Sequence, residues 1–146
     1  MPPDIPNAAA SRGFTLIEVL IILVVLAILS AIVTPNFSRY MTRGQLVEAT
    51  SALAEYHAHM ERFRHENGSY AKAGRCGVEL PGGLTDFTFS CRISAEGYAY
   101  TASATGSGGA TGFAYTINQA NERATIGLPA SWGDLPAHAG SRWVTR

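Results

Sequence analysis

Residues 14–33 form an almost uninterrupted apolar run near the start of the chain. Within it, residues 19–33 carry no charge, and Ser30 is their only polar side chain. As an α-helix, about twenty residues rise roughly 30 Å, which matches the hydrocarbon core of a bilayer. The run exceeds the apolar part of a secretory signal peptide, and a small-residue break occurs only around Ser30. We therefore expect a membrane-spanning helix, for which a plain single-pass anchor is the simplest interpretation.

A single carboxylate, Glu18, lies inside this run. A charged side chain at membrane depth costs on the order of a few kcal/mol, so such a residue generally has a partner of opposite charge. The next positions at helical spacing are Ile21 and Ile22, so no base follows on the same face. The positive partner must therefore come from another chain or from a newly made N-terminus.

The heptapeptide RGFTLIE at residues 12–18, followed by an apolar helix, resembles the processing site of type IV prepilins and of the related type II secretion pseudopilins. The resemblance implies that a prepilin peptidase cuts between Gly13 and Phe14 and methylates the new amine, so that Phe14 becomes N-methylphenylalanine. The cationic amine would then lie one helical turn from Glu18. In this family the carboxylate pairs with the amine of a neighbouring subunit, which implies a role for Glu18 in filament assembly.

The helical pattern continues beyond the apolar run and becomes amphipathic between residues 36 and 66. Apolar side chains recur there at spacings of three and four, which marks one buried stripe of a helix: Leu46, Ala49, Leu53, Tyr56, Met60 and Phe63. Asn67 and Gly68 form a pair that stops a helix. The chain is thus predicted to contain a long helix that is apolar all round in its first half and on one face in its second.

Pro35 falls inside this predicted helix. Because proline lacks an amide donor and clashes with the preceding turn, we expect a kink or local unwinding near residues 31–35. Pilins commonly carry a proline at this distance from the cleavage site, and the resemblance implies that melting at Pro35 assists assembly. The alternative is that Pro35 ends the membrane helix and that a separate helix begins at Asn36.

The rest of the chain predicts a small antiparallel sheet. Four segments alternate between apolar and polar residues or are short and apolar, as strands do: residues 87–93, 98–102, 113–117 and 124–128. The breaks between them are short, which favours a meander over parallel pairing. We predict an α+β protein with the pilin fold, in which a long N-terminal helix packs on about four antiparallel strands. The predicted divisions are a cleaved leader (1–13), a hydrophobic transmembrane or filament-core helix (14–35), the amphipathic half (36–67) and the loop, sheet and C-terminal region (68–146).

Cys76 and Cys91 are the only two cysteines. Export of the kind that the resemblance implies would display them outside the cytoplasm, where disulfides persist. Closing a loop of about 15 residues would contribute roughly 3 kcal/mol in the chain-entropy model. We predict a bridge between the helix–sheet loop and the first strand of the sheet, with two free buried thiols as the alternative.

Three C-terminal segments, at residues 115–119, 127–133 and 142–144, are similar to PilE-type minor pilins of type IV pili. Minor pilins of this class help to prime assembly and are incorporated into the fibre. Several of these chains carry a cysteine before the final tryptophan, whereas Arg142 precedes Trp143 here. The role of a C-terminal loop that lacks a disulfide therefore stays open.

Neither catalysis nor a cofactor is indicated. The sequence contains no glycine-rich phosphate loop, no CxxC motif and no nucleophile with a recognisable base. His57, His59 and His65 could suggest a metal, but they are better interpreted as solvated residues of a helix face. Eleven basic and eleven acidic residues give a formal net charge of zero, and glutamates interleave with the basic residues near the helix end. This pattern favours a solvated helix face over a DNA-binding surface.

These observations predict a structural subunit of a type IV pilus, more consistent with a minor than a major pilin, that serves adhesion, twitching motility or DNA uptake. The expected partners are other pilin subunits, prepilin peptidase, the inner-membrane assembly platform and the membrane itself before assembly; DNA or a host surface is possible. The expected location is the inner membrane and then the extracellular pilus. The alternatives are a type II secretion pseudopilin and an anchored periplasmic domain that never polymerises.

Overall fold

The computed structural model describes residues 13–135 and 139–145, without the side chains of residues 33–36, 95 and 139. The first element is α1 (Leu16–Asn67), a helix of 52 residues. Thr15 begins it, because the Thr15 hydroxyl accepts a hydrogen bond from the Glu18 amide at 3.3 Å. Asn67 ends it, since Gly68 follows with a φ of 75° that favours glycine.

The helix continues through Pro35, so the two predictions that interrupt it there are wrong, while a kink in the continuous helix stays a prediction. Neither a local unwinding near residues 31–35 nor a second helix beginning at Asn36 is observed. A proline removes one backbone hydrogen bond from a helix. The other hydrogen bonds of this long helix are enough to keep it continuous across that position. The side chain of Pro35 itself lies outside the described part of the chain, as does the predicted leader up to residue 12.

The chain divides into two compact units, Met1–Ser38 and Arg39–Arg146. In the first unit, every side chain described from Gly13 to Ile32 is exposed to the surroundings. The helix there is long and apolar enough to cross a membrane. Apolar side chains without a protein covering require lipid or other chains around them, which agrees with the predicted membrane segment.

The second unit contains the rest of α1 and two antiparallel sheets. Its strands are β1 (Ala71–Lys72), β2 (Arg75–Cys76), β3 (Phe87–Ser94), β4 (Ala99–Gly106), β5 (Ala114–Asn118) and β6 (Arg123–Gly127). β3 to β6 form a four-stranded meander in chain order, which confirms the predicted fold class. β1 and β2 form a separate hairpin that the sequence pattern did not predict.

The core lies between the amphipathic part of α1 and one face of the meander. Five of the six residues in the predicted stripe are no more than 2 % exposed, and the sixth, Phe63, is half-buried. They pack against the inward residues of the sheet: Tyr100, Ala102, Ala104, Tyr115 and Ile117. The helix stripe and the strand alternation therefore meet as the two patterns predict.

Hydrogen bonds at both ends of β3 fix its direction relative to α1. At the start of the strand, the Gln45 side chain donates a hydrogen bond to the carboxylate of Asp86. At its end, the amide of Tyr70 donates to the carbonyl of Gly97 at 2.8 Å. β3 therefore runs in the same direction as the helix. Because the strands alternate in direction, β6 returns toward the end of the unit where Arg39 lies.

A disulfide joins Cys76 in β2 to Cys91 in β3, and their Cα atoms are 6.3 Å apart. The predicted pairing is thus present in the structure. It attaches the small hairpin, and the loop that follows it, to the edge strand of the meander. Because an uncovered edge strand invites pairing with other chains, this attachment also limits access to the β3 edge.

Candidate functional site

The predicted cleavage position lies immediately before the helix. Gly13 and Phe14 are exposed and precede the helical residues. A Cβ atom added to Gly13 would meet no other atom within 4 Å, so the fold leaves room for a side chain there. A requirement for glycine at this position would consequently come from an enzyme that recognises the segment rather than from packing.

Glu18 occupies the first turn of α1, and its side chain is exposed. With Thr15 at the N-cap, it completes the T-x-x-E pattern of a capping box. A carboxylate in the first turn is also favoured by the positive end of the helix dipole. Glu18 is therefore compatible with the start of the helix, and its carboxylate is accessible to a partner outside the described chain.

A shallow depression of about 440 Å³ lies over the disulfide, between β2 and β3. Arg75 immediately precedes one cysteine and Arg92 immediately follows the other, so the bridge brings both bases to the depression. Lys72 is paired with Arg75 across the hairpin. No carboxylate lines this depression among the described residues. These three bases, which we call the basic cluster, are exposed.

A second cavity, of about 420 Å³, lies between α1 and the loop that follows the hairpin. Its polar walls carry Glu48, Glu55 and Glu79, together with His59. His59 Nε2 is 3.9 Å from a carboxylate oxygen of Glu55, and both side chains are largely exposed. Within the described ranges, no three histidine, cysteine, aspartate or glutamate side chains are arranged to hold a metal ion.

The three helix histidines differ in their surroundings. His59 and His65 are exposed, as expected from the sequence, but the expectation for His57 is wrong. Its Nδ1 atom lies 2.7 Å from the hydroxyl of Tyr100, which is fully buried in the core. His57 therefore contributes to the helix–sheet contact, because β4 places a buried tyrosine hydroxyl within reach of it.

Buried tyrosines provide much of the polar contact inside the unit. Tyr70 donates a hydrogen bond to Glu61 at 2.6 Å and accepts one from Arg64 at 3.2 Å. Burial raises the pKa of Tyr70, and the hydrogen bond to Glu61 raises it further. Burial also raises the pKa of Tyr56 to about 12 and raises the pKa values of Tyr100 and Tyr115. Each of these hydroxyls is thus held in its neutral form.

The C-terminal segment is fastened to the sheet by hydrogen bonds. Tyr115 donates to the Val144 carbonyl at 2.8 Å, and Trp143 Nε1 donates to the Thr116 carbonyl at 2.9 Å. The hydroxyl of Thr125 donates to the Arg142 carbonyl and accepts from the Val144 amide. These bonds hold residues 142–144 against the sheet.

Family models match two adjacent parts of the chain. Residues 9–34 match the prokaryotic N-terminal methylation motif. Residues 35–120 match the family described as type IV minor pilin ComP, DNA uptake sequence receptor. The second match covers more than half of the chain and includes the amphipathic helix and the first three strands of the meander.

Individual proteins of this class are also similar. The type IV wide pilus major component PilA4 of Thermus thermophilus is 32 % identical over 127 residues, which cover 83 % of this chain and 96 % of that protein. Prepilin peptidase-dependent protein D of Escherichia coli is 32 % identical over 72 residues, covering 48 % of this chain and 49 % of that protein.

A solved structure supports the fold. The crystal structure of the Neisseria meningitidis non-core minor pilin PilV is 18 % identical, with a TM-score of 0.52, and covers 64 % of this chain and 94 % of that one. Its helix and sheet architecture thus agrees with the one described above. Together with the two family models and the relative from Thermus thermophilus, this architecture leads to one conclusion: the chain is a member of the type IV pilin family.

Proposed function

We propose that this pilin is made as a precursor, is cut between Gly13 and Phe14 by a prepilin peptidase, and is methylated on the amine of Phe14. The observation that carries the proposal is the exposed Gly13–Phe14 junction directly before an uncovered apolar helix. The match to the N-terminal methylation motif spans this junction, and the name of the relative from Escherichia coli states its dependence on prepilin peptidase.

The processed chain is held in the inner membrane by residues 14–35 and then transferred by the assembly platform into a fibre outside the cell. Residues 36–67 carry the globular region 68–146, and other pilin subunits cover the exposed apolar helix in the fibre. The carboxylate of Glu18 pairs with the N-terminal amine of a neighbouring subunit, because burial among apolar helices makes an unpaired charge costly. Pro35 lowers the number of helix hydrogen bonds in this segment and so assists local rearrangement during assembly. The chain acts as a structural subunit, and its similarity to minor pilins supports low abundance in the fibre.

Processing is tested by replacing Gly13 with serine. Since a side chain at this position meets no atom of the folded chain, Gly13→Ser should leave folding intact while blocking cleavage. Mass spectrometry of the membrane fraction should then find the uncut precursor. Gly82→Ser is the matched control, because Gly82 is equally uncrowded but lies far from the junction along the chain. A normal amount of methylated Phe14 in the Gly13 variant would contradict the proposal.

Assembly is tested by Glu18→Gln, which keeps the shape of the side chain and removes its charge. We expect normal amounts of the variant in the membrane but a severalfold loss from sheared surface fibres, measured by quantitative proteomics. Glu48→Gln serves as the control because Glu48 lies on an exposed part of α1 outside the apolar run. Equal incorporation of both variants would argue against a role for the Glu18 charge.

A second candidate function, DNA capture, is favoured by the basic cluster. The family matched by residues 35–120 is described as a DNA uptake sequence receptor. Lys72, Arg75 and Arg92 form no ion pair within the described residues, so all three are available for phosphates. If the basic cluster neutralises about three phosphates, the logarithm of the DNA-binding constant should fall with the logarithm of the salt concentration with a slope near −3.

DNA capture is tested with the full chain in detergent and a labelled duplex. Replacing Arg75 and Arg92 with glutamine should weaken binding at low salt by about tenfold or more and reduce the salt slope by about two. The matched control replaces Arg62 and Arg142, which are also exposed, with glutamine. If the two double variants bind DNA equally, the basic cluster is not the contact.

A further inference from the structure

Two arginines and two aromatic residues are grouped at the end of the second unit from which the membrane segment departs. Arg39, Tyr40 and Arg43 are exposed residues of α1, and Tyr40 is 73 % exposed. The loop that follows β6 brings Trp132 to the same place, where the Arg43 guanidinium lies 5.7 Å from the centre of its ring. We call these four residues the basal face.

The position of Trp132 is fixed from two sides. Its ring packs edge-on against Phe113, with the ring centres 5.0 Å apart. Arg43 covers it on another side, and the indole remains only half-buried. Trp132 is thus held at the surface by a core residue below it and a cation beside it, as an anchoring side chain would be.

The length of the connecting chain keeps the basal face near the membrane. Arg39 is only six residues after Val33, the last residue of the apolar run. Six residues span about 9 Å as a helix and at most about 20 Å when fully extended. Polar headgroup layers extend roughly 5–8 Å beyond each side of the hydrocarbon core. In the helical conformation that α1 has here, the Arg39 backbone lies about 9 Å beyond the apolar run, close enough for its long side chain to reach back to the headgroup layer.

The chemistry of the basal face suits that location. Tryptophan and tyrosine are enriched where hydrocarbon meets water, since their rings are apolar and their N–H or O–H groups are polar. Guanidinium groups bind phosphate oxygens with two parallel hydrogen bonds. Asp134 lies in the same loop as Trp132 and Asp86 is bonded to Gln45, but neither Arg39 nor Arg43 forms an ion pair within the described residues.

We propose that the basal face binds the phosphate headgroups of anionic phospholipids while the subunit resides in the membrane. This inference rests on the proposed membrane residence of the processed chain. Contact with headgroups would hold the globular region against the bilayer before assembly. Because the contact relies on a few charges at the surface, it would be reversible when the subunit is withdrawn into a fibre.

The chain provides its own control, because Trp132 and Trp143 are its only tryptophans and Trp143 lies on the sheet, bonded to Thr116. The full chain is reconstituted into vesicles of phosphatidylcholine with or without phosphatidylglycerol, with a headgroup-attached nitroxide as quencher. In the Trp143→Phe variant the tryptophan fluorescence comes from Trp132 alone. In the Trp132→Phe variant it comes from Trp143 alone. We expect the quenching of Trp132 to rise by about twofold with the anionic lipid and to fall on addition of salt, whereas Trp143 stays unquenched.

The arginines are tested by Arg39→Gln combined with Arg43→Gln, in the chain that keeps both tryptophans. Loss of the lipid-dependent quenching in this variant, but not in Arg75→Gln with Arg92→Gln, would support the proposal. Quenching that is equal with and without anionic lipid, or equal at both tryptophans, would overturn it. Alkaline extraction of the same vesicles separates the two proposals, because a chain released by this treatment refutes membrane residence itself. An embedded chain whose Trp132 is unquenched refutes the basal face alone.

Discussion

Removing one buried hydroxyl should loosen the C-terminal segment. Thr125 is 4 % exposed, and its hydroxyl donates to the Arg142 carbonyl at 3.1 Å and accepts from the Val144 amide at 2.8 Å. Thr125→Val keeps the branched shape of the side chain but deletes both bonds. The mutation leaves one backbone amide and one carbonyl beside the sheet without their partner.

The magnitude follows from these two bonds. A hydrogen bond contributes about 0.5–1.5 kcal/mol net, and leaving a buried backbone group unpaired costs about 1–3 kcal/mol. Water can reach part of the half-buried segment, so we expect a loss of about 2–3 kcal/mol in the free energy of unfolding, roughly a hundredfold in the equilibrium constant. The bonds of Tyr115 and Trp143 to the same segment remain, which should keep the variant folded.

The assay is guanidinium unfolding of the full chain in mild detergent, followed by near-ultraviolet circular dichroism of the aromatic side chains. Thr105→Val is the matched control, because Thr105 is an exposed residue of β4. The control should change stability by less than about 0.5 kcal/mol. If Thr125→Val and Thr105→Val unfolded at the same denaturant concentration, hydrogen bonding by Thr125 would not be what secures the C-terminal segment.

Three further predictions concern the stability of the second unit, each measured on the full chain in detergent. Replacing Cys76 and Cys91 with serine should lower the free energy of unfolding by about 3 kcal/mol. Reductant should then leave the denaturation curve of this variant unchanged, whereas it should destabilise the parent chain, which has the disulfide. Gly106→Ala would press its new methyl group against a backbone carbonyl of the adjacent turn and should destabilise the chain by at least about 1–3 kcal/mol, whereas Gly82→Ala has open space and should not. Burial raises the pKa values of the buried tyrosines, to about 12 for Tyr56, so their hydroxyls ionise at lower pH in the unfolded chain than in the folded chain. The free energy of unfolding that they contribute is therefore fully present below pH 10.0 and is lost as the pH rises from 10.0 toward 12. Because Tyr40 and Tyr98 are exposed in the folded chain, tyrosinate absorbance from more than these two residues before unfolding would contradict this last prediction.

The elements with a clear hydrophobic period were predictable from the sequence. The helix stripe and the alternation of β3, β4 and β5 reflect burial of one face, which a periodic pattern records directly. The last strand was predicted at residues 124–128 and is observed at Arg123–Gly127. β1 and β2 have only two residues each, which is too short for a hydrophobic period to be recognised in the sequence. They form because of the turn between them and the disulfide that holds β2.

Parts of the site were less predictable because they depend on pairing across the fold. Hydrogen bonds from Thr125 and Tyr115 to the backbone of the C-terminal segment leave no pattern in the sequence. The contact between His57 and Tyr100 likewise requires the register of β4 against the helix. Arg75 and Arg92 did carry a signal, because each adjoins a cysteine and pairing the cysteines brings the two bases together.

The central claim is that the apolar helix begins at a processed, methylated terminus and then enters a fibre. It is tested most directly by shearing filaments from cells that express the chain and identifying its N-terminal peptide by mass spectrometry. We predict a peptide that starts at Phe14 and carries one additional methyl group on its amine. Recovery of the chain only from the membrane, with residues 1–13 still attached, would contradict the account.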